Sequence, residues 1–153
     1  MKYSEMEISM MQAMQRMKAI HFWEVCTQMP KGEAILIHTI CHHENGKEPM
    51  AVSELTEQTR MHAAAVSRLM RSLEEKGLIV RSIDPKNHRN ILVQATEDGS
   101  RLNQENTNRI HRYWLTVLGR IPKEDQEIML RIWSEVMDNM EAVLEQQRMT
   151  ENE

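Results

Sequence analysis

The segment from Leu55 to Thr96 constrains the fold more than any other, because helical and strand periodicities follow one another there with hardly a residue between them. Val66, Leu69, Met70 and Leu73 recur at i, i+3, i+4 and i+7, which draws one apolar stripe along a helix of 3.6-residue period. The opposite face carries Ala64, Ser67, Arg68 and Arg71, with Glu75 a turn further on. Small side chains at the start of such a helix let its backbone approach a surface, and arginines a turn later reach phosphates or the guanine edge in a major groove. Gly77 is placed to close the helix in the left-handed conformation that glycine adopts without penalty.

Two short β-branched runs follow, Ile79 to Ile83 and Asn90 to Gln94, separated by Asp84, Pro85, Lys86, Asn87, His88 and Arg89. The turn chemistry of those six residues predicts a hairpin: Pro85 fixes one φ and Asn87 tolerates a positive one. Lys86, His88 and Arg89 gather at its tip, and Asp84 is expected to pair with Arg89 and hold the guanidinium in one direction. An arginine aimed along a narrow ribbon suits a minor groove, whose negative potential attracts it. Helix, turn, helix and wing together point to duplex DNA.

The charge balance favours the same surface. The 153-residue chain carries 19 Lys+Arg against 23 Asp+Glu, a net charge of -4. Between Arg60 and Asn90, however, seven basic residues face three acidic ones, a local excess of four positive charges within an acidic whole. A basic lobe on an acidic body focuses phosphate attraction on one face and excludes a nonspecific nucleic-acid coat.

With these residues in view, the chain resembles the MarR family of bacterial winged-helix transcription regulators. The run from Met61 to Met70 is similar to that family's recognition helix, and Leu73 to Arg81 to its helix exit and first wing strand. The wing motif DxRDxR is approximated by Asp84, Lys86, Asn87 and Arg89, and the LTxxG after it by Ala95, Thr96 and Gly99. Departures are Lys86 for Arg, Asn87 for Asp, Ala95 for Leu, and His62 and Ala65 where the family often has Ser or Thr. The resemblance implies a homodimer with the first and last two helices of each subunit interlocked. It also implies an effector pocket between those helices and the DNA-binding lobe, where an aromatic or phenolic anion often binds.

The remaining sequence reads as helices. With 41% hydrophobic residues but few aromatics, its 14 methionines fill an adaptable interior. Ser4 and Glu7 form a capping-box pattern ahead of a helix reaching roughly to Gln28, with Met6, Met10, Met14 and Met17 on one stripe. Pro30 opens a second helix to about His43, ended by Asn45 and Gly46, and a short helix near Ser53 to Thr59 precedes the recognition helix. After the wing, Thr96 caps a helix from Glu97 to Leu118, and Pro122 begins another to about Gln147, with Met149 to Glu153 expected to fray. The last helix repeats Ile128, Ile132, Val136, Met140 and Leu144, a longer apolar stripe than one small lobe covers, which predicts a second copy as its partner. Twofold symmetry then sets two recognition helices about 34 Å apart on an inverted repeat. The fold expected is therefore mainly α with a small β-wing, one MarR-like domain over 1–153. A winged helix-turn-helix lobe at about 30–98 is flanked by long dimerization helices at about 1–28 and 100–148.

DNA-binding residues are expected to be Arg60, His62, Ala64, Ser67, Arg68, Arg71, Arg81, Lys86, His88 and Arg89, with Asp84 orienting the wing. Arg60, Arg81 and the helix amino terminus would hold phosphates, Ser67, Arg68 and Arg71 would face base edges, and Arg89 would probe the minor groove. Trp23, His38, His42 and His111 are candidates for the border of the effector pocket. His38 and His42 stand at i and i+4, so a zinc-sensing variant completed by Glu44, Cys41 or His111 is a side reading, which the resemblance supports because some relatives sense zinc. A thiol switch at Cys26 or Cys41 is another, helped only by His42 and His43 beside Cys41. A third is a winged helix serving as a protein-interaction module. No cofactor is expected and no enzyme signature is found: there is no phosphate-binding glycine loop, nucleophile elbow or metalloprotease helix. The chain contains no 18-residue apolar run and no cleavable leader, so a cytoplasmic protein without membrane partners is expected.

Overall fold

The computed structural model describes residues 3–46 and 48–151, apart from the side chains of Glu44, Asn45 and Glu151. Seven helices and a small sheet are described, in the order α1 (Glu5–Ala19), α2 (Phe22–Thr27), α3 (Lys31–His42), β1 (Met50–Ala51), α4 (Val52–Thr59), α5 (Ala63–Glu75), β2 (Ile79–Ile83), β3 (Ile91–Ala95), α6 (Glu97–Leu118) and α7 (Lys123–Glu151). A 3-10 turn over His43–Gly46 closes α3, with Gly46 at φ 73. The chain packs as two compact units, one up to Ile110 and the other from His111 on.

The first unit is built around the apolar stripes predicted from the sequence. Leu36, Ile37 and Ile40 of α3 meet Leu55 of α4 and Val66, Met70 and Leu73 of α5, all buried. The sheet closes this core from the side with Met50, Ile79 and Val93. Its antiparallel strands lie in the order β1-β3-β2, with Arg81 opposite Val93 and Ile83 opposite Ile91. β1 escaped sequence reading because two residues are too short to display an alternation; only their pairing with Leu92 and Val93 makes them a strand.

Two glycines and one threonine fix how the wing joins the helices. Gly77 sits at φ 70, where any side chain would be strained. A Cβ on Gly99 would come within 2.0 Å of the Leu78 carbonyl oxygen, so only glycine lets α6 start this close to the recognition helix exit. Thr96 bridges the two: its hydroxyl donates to the Gly77 carbonyl at 2.7 Å and accepts from the Gly99 N–H at 3.0 Å, capping α6 as expected.

The amino-terminal helix departs from expectation. The Ser4–Glu7 capping box forms, with the Glu7 carboxylate 2.6 Å from the Ser4 N–H, but the helix stops at Ala19 instead of continuing to Gln28. Ile20 turns extended (φ -80, ψ 105) and α2 restarts at Phe22. Ile20, His21, Phe22 and Trp23 are consecutive β-branched and ring side chains, each a poorer helix former than the methionine-rich stretch before them, and that is where the helix breaks. At the other end α7 runs through Glu151, past the expected stop at Gln147, so Met149 and Thr150 are helical; Asn152 and Glu153 lie outside the described residues.

Candidate nucleic-acid interface and ligand cavity

The recognition helix presents the face read from the sequence. His62, Ala64, Ser67, Arg68 and Arg71 are exposed, while Val66, Met70 and Leu73 anchor the other side. His62 is the N-cap but makes no side-chain capping bond, so the first amides of α5 are left for an outside acceptor such as a phosphate. Arg60 forms the turn between α4 and α5 at φ 53, a left-handed position held by an N–H bond to the Glu57 carbonyl.

The wing tip is stiff for a different reason than expected. Asp84 does not aim Arg89: its carboxylate accepts from the Lys86 backbone N–H at 2.8 Å. Asn87 does not take a positive φ either; its side-chain oxygen accepts from the Arg89 N–H at 3.2 Å. Short polar side chains prefer nearby backbone donors two residues on, which cost little entropy to reach, over a long guanidinium across the turn. Two such turns in succession, with Asp84 and Asn90 bonded across the base, orient the backbone and leave Lys86, His88 and Arg89 exposed at the tip.

Arg81, expected to contact a phosphate, has an intramolecular partner that sequence reading did not anticipate. It is paired with Glu74 near the end of α5. The guanidinium holds the Glu74 carboxyl below the usual carboxylate range, and the carboxylate in turn raises Arg81.

Glu33 was not singled out by sequence reading. Its carboxylate is buried and receives the Ser72 hydroxyl at 2.7 Å and the Lys76 ammonium at 2.6 Å, tying α3 to the last turns of the recognition helix. The signal was available, since Glu33 shares the i, i+3, i+4, i+7 stripe with Leu36, Ile37 and Ile40. An acid on an apolar stripe needs a partner, and α5 supplies two.

A cavity of about 240 Å³ opens beside α3. Trp23 and Thr27 of α2, Ala34, Ile35, His38 and Thr39 of α3, and Asn103, Asn106, Thr107 and Ile110 of α6 line it. Of the four expected pocket residues, Trp23 and His38 are in the lining. His42 is not: its ring stacks on His38 with centroids 3.9 Å apart, and its Nδ1 lies 2.9 Å from the His38 carbonyl oxygen. His111 is not in the lining either, since the wall contributed by α6 ends at Ile110.

Among the described residues no three of His, Cys, Asp and Glu converge on a point where a metal ion would sit. His38, Cys41, His42 and His111 therefore form no ligand set here, and the Glu44 side chain falls outside what is described. Burial lowers the His38 pKa, the neighbouring His42 lowers it further, and contact with Asn103 acts the other way. Burial likewise raises the Cys26 and Cys41 thiols, opposed at Cys41 by Ser100, so neither is activated as a thiolate.

The MarR family model matches residues 41–91, the stretch from the end of α3 through the wing. Over that third of its length the chain is similar to the MarR family. The HTH-type transcriptional regulator YdgJ of Bacillus subtilis (strain 168) is 22% identical over 121 residues, 79% of this chain and 71% of that protein. Among solved structures, PcaV from Streptomyces coelicolor with its natural ligand aligns with a TM-score of 0.70 at 15% identity, covering 90% of this chain and 98% of that one. The DNA complex of MepR from Staphylococcus aureus aligns with a TM-score of 0.67 at 17% identity, over 91% and 99% of the two chains. These comparisons show the winged-helix fold of MarR-family transcriptional regulators. No described helix is long and apolar enough to cross a membrane.

Proposed function

We propose that the protein acts as a homodimeric repressor that reads an inverted-repeat operator and lets go when a small molecule fills the cavity beside α3. The observation that carries this reading is the exposed row of Ser67, Arg68 and Arg71 next to an uncapped helix start and a stiff cationic wing tip. Each lobe would lay α5 in a major groove and the tip, with Arg89, in the neighbouring minor groove. Arg60 and the amides of α5 would position it on phosphates. The DNA-bound state of the similar MepR fold supports that docking.

Dimerization is supported by the faces the chain leaves bare. None of the described residues of α1 or α7 is buried, yet α7 exposes Ile128, Leu130, Ile132, Trp133, Met140 and Leu144, and α1 exposes four methionines of one stripe. Apolar surface on that scale needs a partner, and a second copy supplies one by symmetry. In this reading residues 1–153 work as one MarR-like domain, with the outer helices joining subunits and about 30–98 reading DNA.

Release follows from the position of α3. The same helix lines the cavity with Ala34, Ile35, His38 and Thr39 and grips α5 through Glu33, so a ligand that displaces α3 also displaces the recognition helix. DNA fragments recovered from the genome supply the operator for a gel-shift titration. Binding should weaken steeply with salt, prefer the inverted repeat over scrambled duplex, and fall about tenfold in Arg89→Ala with the dimer intact. Unchanged affinity in that variant removes the wing from the mechanism, and equal binding to scrambled duplex leaves a protein-interaction module.

A further inference from the structure

We infer that the cavity beside α3 takes a neutral, flat, mostly apolar molecule of about two rings bearing an N–H or O–H donor, and that it turns carboxylates away. The assignment concerns what the cavity binds; only its regulatory consequence rests on the effector reading above.

Size sets the first limit. An apolar cavity of about 150 Å³ holds benzene, so one of about 240 Å³ has room for a fused bicycle. The Trp23 ring in the wall offers a flat aromatic surface against which such a molecule can pack.

Charge sets the second. Among the described residues the lining contains no lysine or arginine, and His38 is biased toward its uncharged form by burial and by His42. Two of the three threonine hydroxyls are already spent: Thr27 donates to the Trp23 carbonyl at 2.6 Å and Thr39 to the Ile35 carbonyl at 2.9 Å. A carboxylate entering here would lose its hydration and meet neither a cation nor a set of free donors.

Asn106 sets the third. It is 3% exposed, it lines the cavity, and its Oδ1 has no hydrogen-bond partner among the described residues. The amide orientation follows from Met29, whose sulfur accepts weakly and takes the Nδ2 group at 3.3 Å, leaving the oxygen bare. A bare buried acceptor is costly, and the Asn χ2 torsion is broad enough to swing the oxygen toward a donor while giving up only the weak sulfur contact. A ligand N–H satisfies what the protein leaves unsatisfied, whereas a carboxylate oxygen meets another negative dipole.

The test is calorimetric titration of the full-length protein at pH 7.5 with indole, benzothiophene and benzoate. The first two are nearly the same size and differ in the N–H donor; the third carries the charge. Indole should bind about tenfold tighter than benzothiophene, the ordinary worth of one hydrogen bond to a buried acceptor, and benzoate weaker than either. In Asn106→Leu the indole advantage should vanish while benzothiophene still binds, which separates lost recognition from lost folding; Asn106→Ala serves the same purpose if leucine overpacks. Equal affinities for indole and benzothiophene in the unaltered protein, benzoate binding as tight as indole, or no heat with any probe would overturn the assignment. A gel shift with indole present reports separately on the effector reading: indole that binds without releasing the operator defeats that reading and leaves the cavity chemistry standing.

Discussion

The recognition lobe and the last helix spend their apolar residues in opposite ways. In the lobe, Leu36, Leu55, Val66, Leu73, Ile79 and Val93 are fully enclosed within a single chain, and the exposed face is left to arginines and small polar side chains. In α7, Leu130 is 69% exposed and Trp133 44%, with no buried residue to anchor the helix among those described. A face of buried leucines stabilises the chain that carries it; a face of exposed ones stabilises only an assembly. The lobe is thus built to hold its own shape, whereas on the homodimer reading proposed above the helix is completed by a second copy.

The strongest way to break this contrast is to charge the helix. Ile132→Glu with Met140→Glu puts two carboxylates on the α7 stripe, and the particle mass should fall from twice 18.0 kDa to 18.0 kDa by light scattering. Operator affinity should drop by about 10²–10⁴-fold, because the second half-site is then no longer bound at the high effective concentration that linkage provides. A double variant that stays dimeric would move the subunit interface elsewhere.

Truncation inside the lobe should behave differently. Leu73→Ala removes a fully buried side chain and should cost about 2–5 kcal/mol of stability. That loss should not depend on protein concentration, whereas Ile132→Ala should lower the thermal midpoint more in dilute samples than in concentrated ones. Equal concentration dependence in the two variants would erase the distinction between them.

What the sequence made legible follows the same division. Periodicity reports which side of an element is apolar, so the α5 stripe, the wing strands and the span of α6 were readable from Val66 to Leu118. It does not report distance, and the misreadings at the wing and around the cavity are of that kind. Asp84 and Arg89 are close in sequence, but the carboxylate satisfies the nearer Lys86 N–H. Arg81 meets Glu74, seven residues away, only because the strand folds back beside the helix end. Asn103 and Asn106 became cavity residues through the packing of α6 near α2 and α3, and nothing in a polar-looking helix face announces that.

A smaller effect sharpens the reading of the cavity wall. The His38 pKa is lowered in the folded chain, so below the ordinary histidine value of about 6.5 the unfolded chain takes up the proton first. Unfolding therefore gains protons, and stability should decline as the pH falls through that value. In His38→Gln the decline should be shallower, measured as thermal midpoint against pH. Identical profiles would mean that the ring is not held neutral.

The smallest effect tests where the two kinds of surface meet. Arg81 stands on the first wing strand, close to the end of α5, yet its charge is shared with Glu74. Exposed ion pairs contribute little to stability, so Glu74→Gln should leave the thermal midpoint nearly unchanged. Its consequence should appear in DNA binding, because a guanidinium without its carboxylate is available to a phosphate: affinity should rise about twofold and the salt dependence should steepen by up to about one unit of slope. The opposite result would be equally instructive. If Glu74→Gln binds more weakly, the carboxylate is holding Arg81 at the angle the phosphate requires, and the pair belongs to the interface as a unit.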